Sequence, residues 1–477
     1  MVFKDVPYLC ERSLNFFEQE CKMNFQSPKN SNYAATVVQL SMFVPLEKGD
    51  GKQNCDNVKA AIIYGMSVIV GKDTPVGAIG LYFPAETTLS KEFLGANNLY
   101  RKPEFGNVNP EAKGGYFEEH GRIKTMKFRG HKSEGFWIPI ESLTYLGIPL
   151  NEFVVGATFD TIQDREICRK YVPKMNPAAK ESSPNKKGKK VSVKDAIIPG
   201  HFVFHYDTAQ LRRNAHRIQP DAVISISEKW HGTSGVFSHG LVKRKLTWFE
   251  RFLTKFGVNI KDADYGHIWA SRRVVKGVDG VAKDDAVHFY GSDIWGTVAK
   301  NISHLIPKGF TVYGEIVGYT PDGGAIQSMN GKVYHYGCPE KSHRLLIYRV
   351  TSTNFDGKVT ELTWGQMKGF CTHYDFEIVP ELYYGRADGF LPHTYDTDEE
   401  WQAAFVAKLE ELYVHDQMCH HNDFAVPAEG IVVRVDRYTE CEGYKLKAFA
   451  FLNGESAELD NGTVDIETSQ SESVDEE

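Results

Sequence analysis

The residues Ser227-Glu228-Lys229-Trp230-His231-Gly232-Thr233-Ser234 decide how the fold of this chain is interpreted. They follow an alternating apolar run, residues 222–226, whose period of two predicts a β-strand. Lys229 is therefore expected at the end of a strand, directly before a turn of small residues. A lysine in that position is exposed, held in place and open to a phosphate group.

Two later segments carry the partners that a reactive lysine needs. Residues 429–434 read Glu-Gly-Ile-Val-Val-Arg, and residues 444–447 read Tyr-Lys-Leu-Lys. Lys445 and Lys447 are two apart, so on a strand both ammonium groups point to one face and can meet one phosphate. Nearby positive charge also helps a nucleophilic lysine to lose its proton. Glu429 and Glu315 lie in apolar runs, where an isolated carboxylate is costly, and they are candidate ligands for a divalent metal.

Each feature also has an ordinary structural explanation. A lysine before a turn is usually solvated, a glutamate before glycine often serves the turn, and alternating lysines often mark a solvent face. All three explanations would have to hold at once for residues in this order. The combination therefore favours a reactive site.

The composition is that of a globular protein. The 477 residues allow two or three domains, and 42% are hydrophobic and 25% charged. No apolar run reaches the length of about 18 residues that predicts a membrane span. The eight cysteines contain no C-x-x-C pair, which argues against a disulfide framework or a zinc ribbon. We expect a cytoplasmic protein, in the host cytoplasm if it is viral.

The acidic charge is concentrated at the end of the chain. The net charge is -7, but residues 453–477 hold nine acidic and no basic residues, which leaves +2 for the rest. This tail is predicted to be disordered. Residues 174–194 contain seven lysines with proline and glycine and form a predicted linker. It is either a solvated spacer or a basic arm that contacts nucleic acid.

The first third of the chain favours β-structure. Residues 36–44, 60–64, 67–70 and 78–83 are short apolar runs typical of a small barrel or sandwich. Residues 121–139 combine basic side chains with Phe128, Phe136 and Trp137, which suits a groove for phosphates and bases. A solvated face over a core is the alternative. The candidate nucleic-acid contacts in this segment are Arg122, Lys124, Lys127 and Arg129.

Strands alternate with helices after residue 220. Residues 310–318 and 345–350 are predicted core strands, and residues 247–256, 293–305 and 397–418 have helical spacing. The last helix is expected to pack through an apolar stripe. That stripe comprises Trp401, Phe405, Leu409 and Leu412.

The ordered motifs resemble those of the covalent nucleotidyltransferases. Residues 227–234 resemble motif I in the His-Gly-Thr form of the RNA ligases, and residues 429–433 and 445–447 resemble motifs IV and V. Residues 313–315 and 347–349 are similar to motif III and the strand after it. The resemblance implies an α+β fold, with an ATP-grasp-like nucleotidyltransferase domain of antiparallel sheets and flanking helices over residues 195–452. A mainly β, OB-like module in residues 1–173 would precede it.

The resemblance also implies an ATP-dependent RNA ligase that uses Mg²⁺ or Mn²⁺. Lys229 would attack the α-phosphate of ATP, the AMP would pass to an RNA 5′-phosphate, and a 3′-hydroxyl would then displace it. Lys445 and Lys447 would hold the α-phosphate, with Glu429 and Glu315 at the metal. The implied nucleotide contacts are Glu228 at adenine, His231 and Gly232 along the nucleotide, Tyr348 stacked on the base, Glu315 at the ribose and Arg272 at the ribose or RNA phosphate. Arg273, the less favoured of the two arginines, and Ser234 are implied RNA contacts.

The layout of the chain narrows the choice among the nucleotidyltransferase families. Only 30 residues follow Lys447, too few for the OB domain that follows motif V in DNA ligases and capping enzymes. A module ahead of the catalytic domain resembles the Deinococcus-type, fifth family of nick-sealing RNA ligases. We therefore expect RNA ends in a nicked duplex or an RNA–DNA hybrid, although the extra length of this chain leaves that substrate open. Nothing in the sequence indicates an oligomeric state.

Other functions stay open at this point. A DNA ligase or a capping guanylyltransferase shares the motifs, and a nucleic-acid-binding protein with an inactive fold of this type is a further alternative. Neither G-x-G-x-x-G nor G-x-S-x-G occurs, which argues against hydride transfer and α/β-hydrolase chemistry. Residues 419–423, Cys-His-His-Asn-Asp, lack a second ligand cluster at zinc spacing and are interpreted as a loop.

Overall fold

A computed structural model of the chain describes residues 26–47, 54–112, 114–128, 130–173, 193–244, 246–279, 282–283, 290–437 and 440–462. The chain divides into two compact units, Met1–Tyr171 and Val172–Glu477. Arg129, nearly all of the predicted linker and the end of the acidic tail lie outside the described residues. No helix within these described ranges is long and apolar enough to cross a membrane. The domain boundaries at residues 173 and 195 stay predictions.

The N-terminal unit consists mainly of short antiparallel strands, with one α-helix among its described residues, α1 (Lys91–Ala96). Its strands are β1 (Ala35–Gln39), β2 (Phe43–Glu47), β3 (Asn54–Ile63), β4 (Met66–Gly71), β5 (Ile79–Phe83), β6 (Thr87–Leu89), β7 (Thr125–Phe128), β8 (His131–Glu134), β9 (Phe136–Pro139), β10 (Thr158–Phe159), β11 (Thr161–Ile162), β12 (Arg165–Glu166) and β13 (Cys168–Lys170).

These strands form several small sheets. The largest has the order β10-β1-β5-β9, a second has the order β2-β3-β4, and β7-β8, β6-β13 and β11-β12 are two-stranded. The predicted run 36–44 is divided because β1 pairs with β5 whereas β2 pairs with β3. Leu81, Phe83, Phe93 and Phe159 fill the core beside the largest sheet. The pairings among the described strands do not join into one ring, so the OB-like barrel stays a prediction.

The basic segment at residues 121–139 lies only partly on the surface. The Nε and Nη2 atoms of Arg122 each donate to the carboxylate of Glu86 at 2.9 Å, and 1% of the Arg122 side chain is exposed. Phe136 and Trp137 pack in the hydrophobic cores. Arg122 is therefore corrected from a nucleic-acid contact to a buried structural residue, since its charge is neutralised internally. Lys127 is exposed on β7, opposite Lys132 on β8, and stays a candidate contact together with Lys124.

The C-terminal unit mixes strands and helices, as the sequence predicts. Its strands are β14 (Ala209–Gln210), β15 (Val223–Lys229), β16 (Thr233–Lys243), β17 (Ala263–Ala270), β18 (Val275–Val278), β19 (Ala282–Lys283), β20 (Phe310–Gly318), β21 (Ser328–Met329), β22 (Lys332–Val333), β23 (His343–Thr353), β24 (Val359–Glu361), β25 (Glu381–Arg386), β26 (Gly430–Val435) and β27 (Glu442–Lys447). Its helices are α2 (Leu211–Asn214), α3 (Trp248–Lys255), α4 (Ile294–Ile302), α5 (Trp364–His373), α6 (Ala387–Phe390), α7 (Asp398–Tyr413) and α8 (Phe449–Asp460).

Two sheets organise this unit. One has the order β14-β27-β26-β15-β25, and the other has the order β19-β18-β17-β16-β20-β23-β24. All pairings within them are antiparallel except that of β14 with β27. Ile224 and Ile226 of β15 and Val312 of β20 are fully buried in the same core. The predicted core strands at 310–318 and 345–350 are confirmed in β20 and β23. The chain crosses from the first sheet to the second between Lys229 and Thr233.

The predicted helices form close to the expected positions. Residues 247–256, 293–305 and 397–418 contain α3, α4 and α7, each with a side-chain cap at its start. Trp401, Phe405 and Leu409 are buried as predicted. Leu412 is 47% exposed, so the apolar stripe of α7 ends before its last turn.

The acidic tail begins later than we predicted. We expected disorder from residue 453, but α8 continues to Asp460. Two contacts explain the helix: Phe451 is fully buried, and Glu455 accepts hydrogen bonds from Lys447. Residues 463–477 lie outside the described residues, so their predicted disorder stays a prediction.

Candidate active site

Lys229 lies where the chain leaves one sheet for the other. It is the last residue of β15 and pairs with Gly430 at the start of β26. Two glycines make this close approach possible. A side chain at Gly232 would collide with the carbonyl oxygen of Ile316, and Gly430 has a φ of 143°, which favours glycine. The predicted strand end and the following turn are therefore both present.

A buried carboxylate joins two of the predicted lysines. Glu429 Oε1 lies 2.8 Å from Lys229 Nζ and 3.2 Å from Lys447 Nζ. Burial alone would raise the pKa of Glu429, but the two lysines outweigh it and lower that pKa to about 2. Glu429 is therefore ionised at every physiological pH. This confirms the spatial grouping that the separate motifs predict.

The second oxygen of Glu429 fits a cation ligand. Glu429 Oε2 is buried and makes no hydrogen bond within the described part of the chain. A buried carboxylate oxygen is costly unless it is paired or coordinates a metal. Divalent hard cations prefer such oxygens. Glu429 therefore fits its predicted role, whereas Glu315 is already engaged, since its Oε1 accepts the backbone N–H of Gly232 at 3.0 Å.

Lys445 is the most deeply buried lysine of the site. It lies on β27 two residues before Lys447, so both side chains point to the same face. Burial, with the positive charges of Lys447 and Arg272, lowers the pKa of Lys445 to about 7. The neighbouring carboxylate of Asp207 opposes this effect only in part. A bound phosphate would supply the missing negative charge.

Asp207 is a residue of the candidate site that the sequence did not reveal. It forms a short ion pair with Arg272 and lies 3.4 Å from Arg273 Nη2. The arginines lower the pKa of Asp207 against the effect of burial. Asp207 comes just before β14, which pairs with β27 beside Lys445. Its neighbours in the sequence carry no recognisable pattern, so only the fold brings it to this site.

Glu455 is a second residue that we missed. Its two carboxylate oxygens accept hydrogen bonds from Lys447 Nζ at 3.0 and 3.1 Å. The residue lies in the segment that we assigned to the disordered tail. Its spacing of eight residues from Lys447, across the start of α8, could have indicated a contact only if the helix had been predicted.

The turn after Lys229 is held by aromatic and polar contacts. The backbone N–H of His231 donates to the Tyr336 hydroxyl at 2.7 Å, and the His231 ring packs edge-on against Tyr334 and Phe451. Burial lowers the pKa of His231, so its ring is neutral near pH 7. In the second sheet, where β20 separates β16 from β23, the Ser234 hydroxyl lies 3.1 Å from the Tyr348 hydroxyl. These predicted nucleotide and RNA contacts therefore flank one turn.

Glu228 is directed away from this lysine cluster. Neighbouring residues of a strand point to opposite faces, so Glu228 and Lys229 of β15 diverge. The Glu228 carboxylate accepts the indole N–H of Trp230 at 2.6 Å and lies 3.3 Å from His421 Nε2. The adenine contact predicted for Glu228 is untested by this geometry.

One known family matches part of the chain. Residues 223–449 match the family model described as RNA ligase. This span runs from β15 to the first residue of α8 and contains Lys229, Glu315, Glu429, Lys445 and Lys447. No curated protein matches the sequence.

Solved structures of Naegleria gruberi RNA ligase share the fold at low identity. A mutant with AMP and Mn is 14% identical, with a TM-score of 0.52 over 88% of this chain and 97% of that one. A mutant with ATP and Mn is 14% identical, with a TM-score of 0.54 over 89% and 98%. The ligase with PPi is 13% identical, with a TM-score of 0.51 over 89% and 98%. The matched span covers slightly less than half of the chain, and the solved structures share its fold.

Proposed function

We propose that this protein is an ATP-dependent RNA ligase that works through a lysyl-AMP intermediate. The observation that carries the proposal is the cluster of Lys229, Glu429 and Lys447, with Lys445 on the same strand face. These side chains come from three adjacent strand segments, and Lys229 and Lys447 both contact the buried carboxylate of Glu429. With the two nearby arginines, the basic side chains of the site outnumber its carboxylates, which suits a polyphosphate.

In the first step, Lys229 Nζ attacks the α-phosphorus of ATP after losing a proton. A P–N bond forms, the bond to the β-phosphate oxygen breaks, and pyrophosphate leaves. Lys445 and Lys447 neutralise the charge that develops on the α-phosphate, which is most of what phosphoryl transfer requires of a protein. Glu429 would hold Mg²⁺ or Mn²⁺, which supplies further charge neutralisation when bound.

In the later steps, a 5′-phosphate oxygen of RNA takes the AMP from Lys229, and the P–N bond breaks. The 3′-hydroxyl of the other RNA end then attacks the activated 5′-phosphate, loses its proton and displaces AMP. The lysines again meet a phosphate at the same place. One cluster therefore serves all three phosphoryl transfers.

The nucleotide would lie along the turn that follows Lys229. We assign His231 and Gly232 to its path, Tyr348 to base stacking and Glu315 to the ribose. Glu228 would recognise adenine, although its carboxylate lies on the opposite strand face. Structures of the Naegleria ligase with ATP, AMP and Mn support nucleotide and metal binding by this fold.

Arginines beside the nucleotide would meet its ribose and the RNA. Asp207 positions Arg272 for the ribose or the RNA phosphate, and Arg273 shares the same carboxylate. Ser234 would add an RNA contact. In the N-terminal unit, Lys124 and Lys127 would bind the RNA backbone. A nicked duplex or an RNA–DNA hybrid with 3′-hydroxyl and 5′-phosphate ends is the proposed substrate, as in the Deinococcus-type family.

The cytoplasm is the proposed location. Six cysteines of the described residues are buried free thiols, which suits a reducing compartment. These cysteines are Cys55, Cys168, Cys338, Cys371, Cys419 and Cys441.

A labelling experiment tests the first step. The protein is incubated with α-labelled ATP and Mg²⁺ or Mn²⁺, and acid-stable label on the protein is measured. We expect label from ATP, its loss in Lys229→Ala, and its retention in Lys300→Ala, an exposed lysine of α4. Label from GTP alone would indicate a capping enzyme, and absence of label would indicate a nucleic-acid-binding protein.

A joining experiment tests the substrate. Nicked RNA duplexes, RNA–DNA hybrids, nicked DNA and single-stranded RNA are compared with equal amounts of adenylylated protein. We expect joining at RNA nicks with 3′-hydroxyl and 5′-phosphate ends. Efficient joining of an all-DNA nick would instead favour a DNA ligase.

A further inference from the structure

Three metal-ligating side chains meet on the side of β15 away from the lysine cluster. The ligand atoms of Glu228, His420 and His421 all lie within 4.8 Å of one another. Two of these residues belong to the Cys-His-His-Asn-Asp run that the sequence led us to interpret as a loop. The third comes from β15, 192 residues earlier in the chain. The sequence showed no second group of ligands at zinc spacing. In the folded chain, Glu228 supplies the further ligand.

The packing around the three residues holds their donor atoms in place. His420 and His421 begin a short 3₁₀ turn, His420–Asn422, and their ring centroids lie 3.8 Å apart. The indole of Trp230 packs 4.6 Å from the His421 ring and donates to Glu228 Oε2. Asn422 anchors the turn, because its side chain donates to the carbonyl of Val333 at 2.8 Å. Glu228 and His421 are therefore held before any ligand arrives, and the exposed His420 ring lies against His421.

One donor atom is buried without a satisfied hydrogen bond. His421 Nε2 lies 3.3 Å from Glu228 Oε2, but it makes no hydrogen bond of good geometry with the described residues. Buried polar atoms are nearly always paired, so an orphaned imidazole nitrogen that faces a carboxylate suggests an absent partner.

We propose that Glu228, His420 and His421 form a binding site for a transition-metal ion, with Zn²⁺ as the best match. Two imidazoles and one carboxylate are a ligand set that zinc accepts, with a fourth position open to water. Imidazole donors do not suit Mg²⁺, which prefers oxygen ligands and water. The site therefore differs in chemistry from the one at Glu429.

The site would connect the 3₁₀ turn to the strand that ends in Lys229. A metal ion there would fix Glu228, the residue next to Lys229, to a turn that comes shortly before Glu429. Occupancy would then stabilise the strand end without contact to the phosphates. A metal ion at Glu228 would take the place of the adenine contact proposed for that carboxylate, and the inference does not depend on RNA ligation.

Metal titration of the intact protein tests the site. The metal-free chain is titrated with Co²⁺, whose visible absorption separates four-coordinate sites from octahedral ones, and Zn²⁺ then competes for the site. We expect one equivalent of four-coordinate Co²⁺ per chain, displaced by Zn²⁺. His421→Ala should weaken binding by more than the roughly 10–100-fold that loss of an outer-shell partner costs.

Matched variants keep the result interpretable. His420 is exposed, so His420→Ala removes a ligand without opening the core. His415→Ala removes an exposed histidine of the same region and should bind Co²⁺ like the parent. Persistence of the four-coordinate spectrum in Glu429→Gln would separate this site from the one at Glu429. An unchanged Co²⁺ titration in both His420→Ala and His421→Ala, or a purely octahedral spectrum in the parent, would overturn the proposal.

Discussion

Two buried charge clusters lie at opposite ends of β26. Glu429, directly before the strand, contacts Lys229 and Lys447. Arg434, near the end of the strand, lies 3.6 Å from Glu361 and 3.3 Å from Asp436. Both clusters are removed from water, and each draws side chains from distant parts of the sequence.

The clusters differ in their balance of charge. At the Arg434 end, Arg349 adds a second positive charge, so two arginines face two carboxylates. Burial there raises the pKa of Glu361, whereas lysines lower that of Glu429. At the Glu429 end, three lysines and two arginines face three carboxylates, and the pKa of Lys445 is lowered to about 7. A balanced cluster stabilises a fold, whereas a cluster with surplus positive charge is prepared for an anion.

The sharpest test of this difference is Glu429→Gln. The amide keeps the shape of the side chain but removes the charge that pairs with Lys229 and Lys447. We expect the rate of lysyl-AMP formation to fall at least about 100-fold, as when a transition-state charge loses its stabilising group. Single-turnover labelling with α-labelled ATP measures this rate. A loss below threefold would refute the assignment of Glu429 to the reaction.

The matching change in the balanced cluster is Glu361→Gln. Removal of one partner leaves Arg349 and Arg434 with uncompensated buried charge, which typically costs about 3–5 kcal/mol of unfolding free energy. Urea unfolding at pH 7 measures this loss. The labelling rate of the folded fraction should stay near that of the parent. A selective loss of labelling at unchanged stability would contradict a purely structural role.

These two clusters also show what the sequence can predict. Lys229, Lys445 and Lys447 could be found because each lies on a strand whose period of two fixes its direction, and Glu429 because it directly precedes one. The order of these residues along the chain then indicated the resemblance to the covalent nucleotidyltransferases. That resemblance implied the antiparallel α+β architecture, whereas α7 followed from its 3.6-residue period.

The remaining errors concern pairings between distant residues. Arg122 looked like a phosphate contact because its partner, Glu86, is 36 residues away and belongs to no shared pattern. Asp207 pairs with Arg272 across 65 residues, and Glu228 approaches His421 across a larger gap still. A one-dimensional pattern reports the face on which a side chain lies. It does not report which charged residue lies on the neighbouring strand or helix.

A third prediction concerns the stability cost of the surplus charge. The pKa of Lys445 is lower in the folded chain, about 7, than the ordinary value of 10.5. The unfolded chain therefore binds more protons between these values, and stability rises with pH across that window. Lys445→Met should abolish joining and raise the unfolding free energy at pH 7 by about 1–4 kcal/mol.

The pH dependence checks the cause. The stability advantage of Lys445→Met should be greatest below pH 7 and shrink as the pH approaches 10.5, because the parent loses the buried charge. Urea unfolding at pH 6, 8 and 9.5 measures this trend. The exposed Lys300→Met variant is the control and should show no such slope. A constant difference at every pH would mean that packing, and not charge, produces the effect.

The smallest expected effect lies at Glu455, which we did not predict. Its carboxylate, on α8, lies 3.0 Å from Lys447 Nζ, which Glu429 also contacts at 3.2 Å. Because Glu455 is partly exposed, Glu455→Gln should cost less than about 1 kcal/mol of stability. Lys447 keeps its pair with Glu429, so we expect only a few-fold slower labelling.

The control for Glu455→Gln is Glu411→Gln, an exposed residue of α7 that should leave both values unchanged. Labelling rates at saturating and at low ATP separate the possible roles. A positioning residue should affect mainly the rate at saturation, since Lys447 acts on the α-phosphate during transfer. If Glu455→Gln slows labelling as much as Glu429→Gln does, Glu455 acts in the reaction itself and does not merely position Lys447.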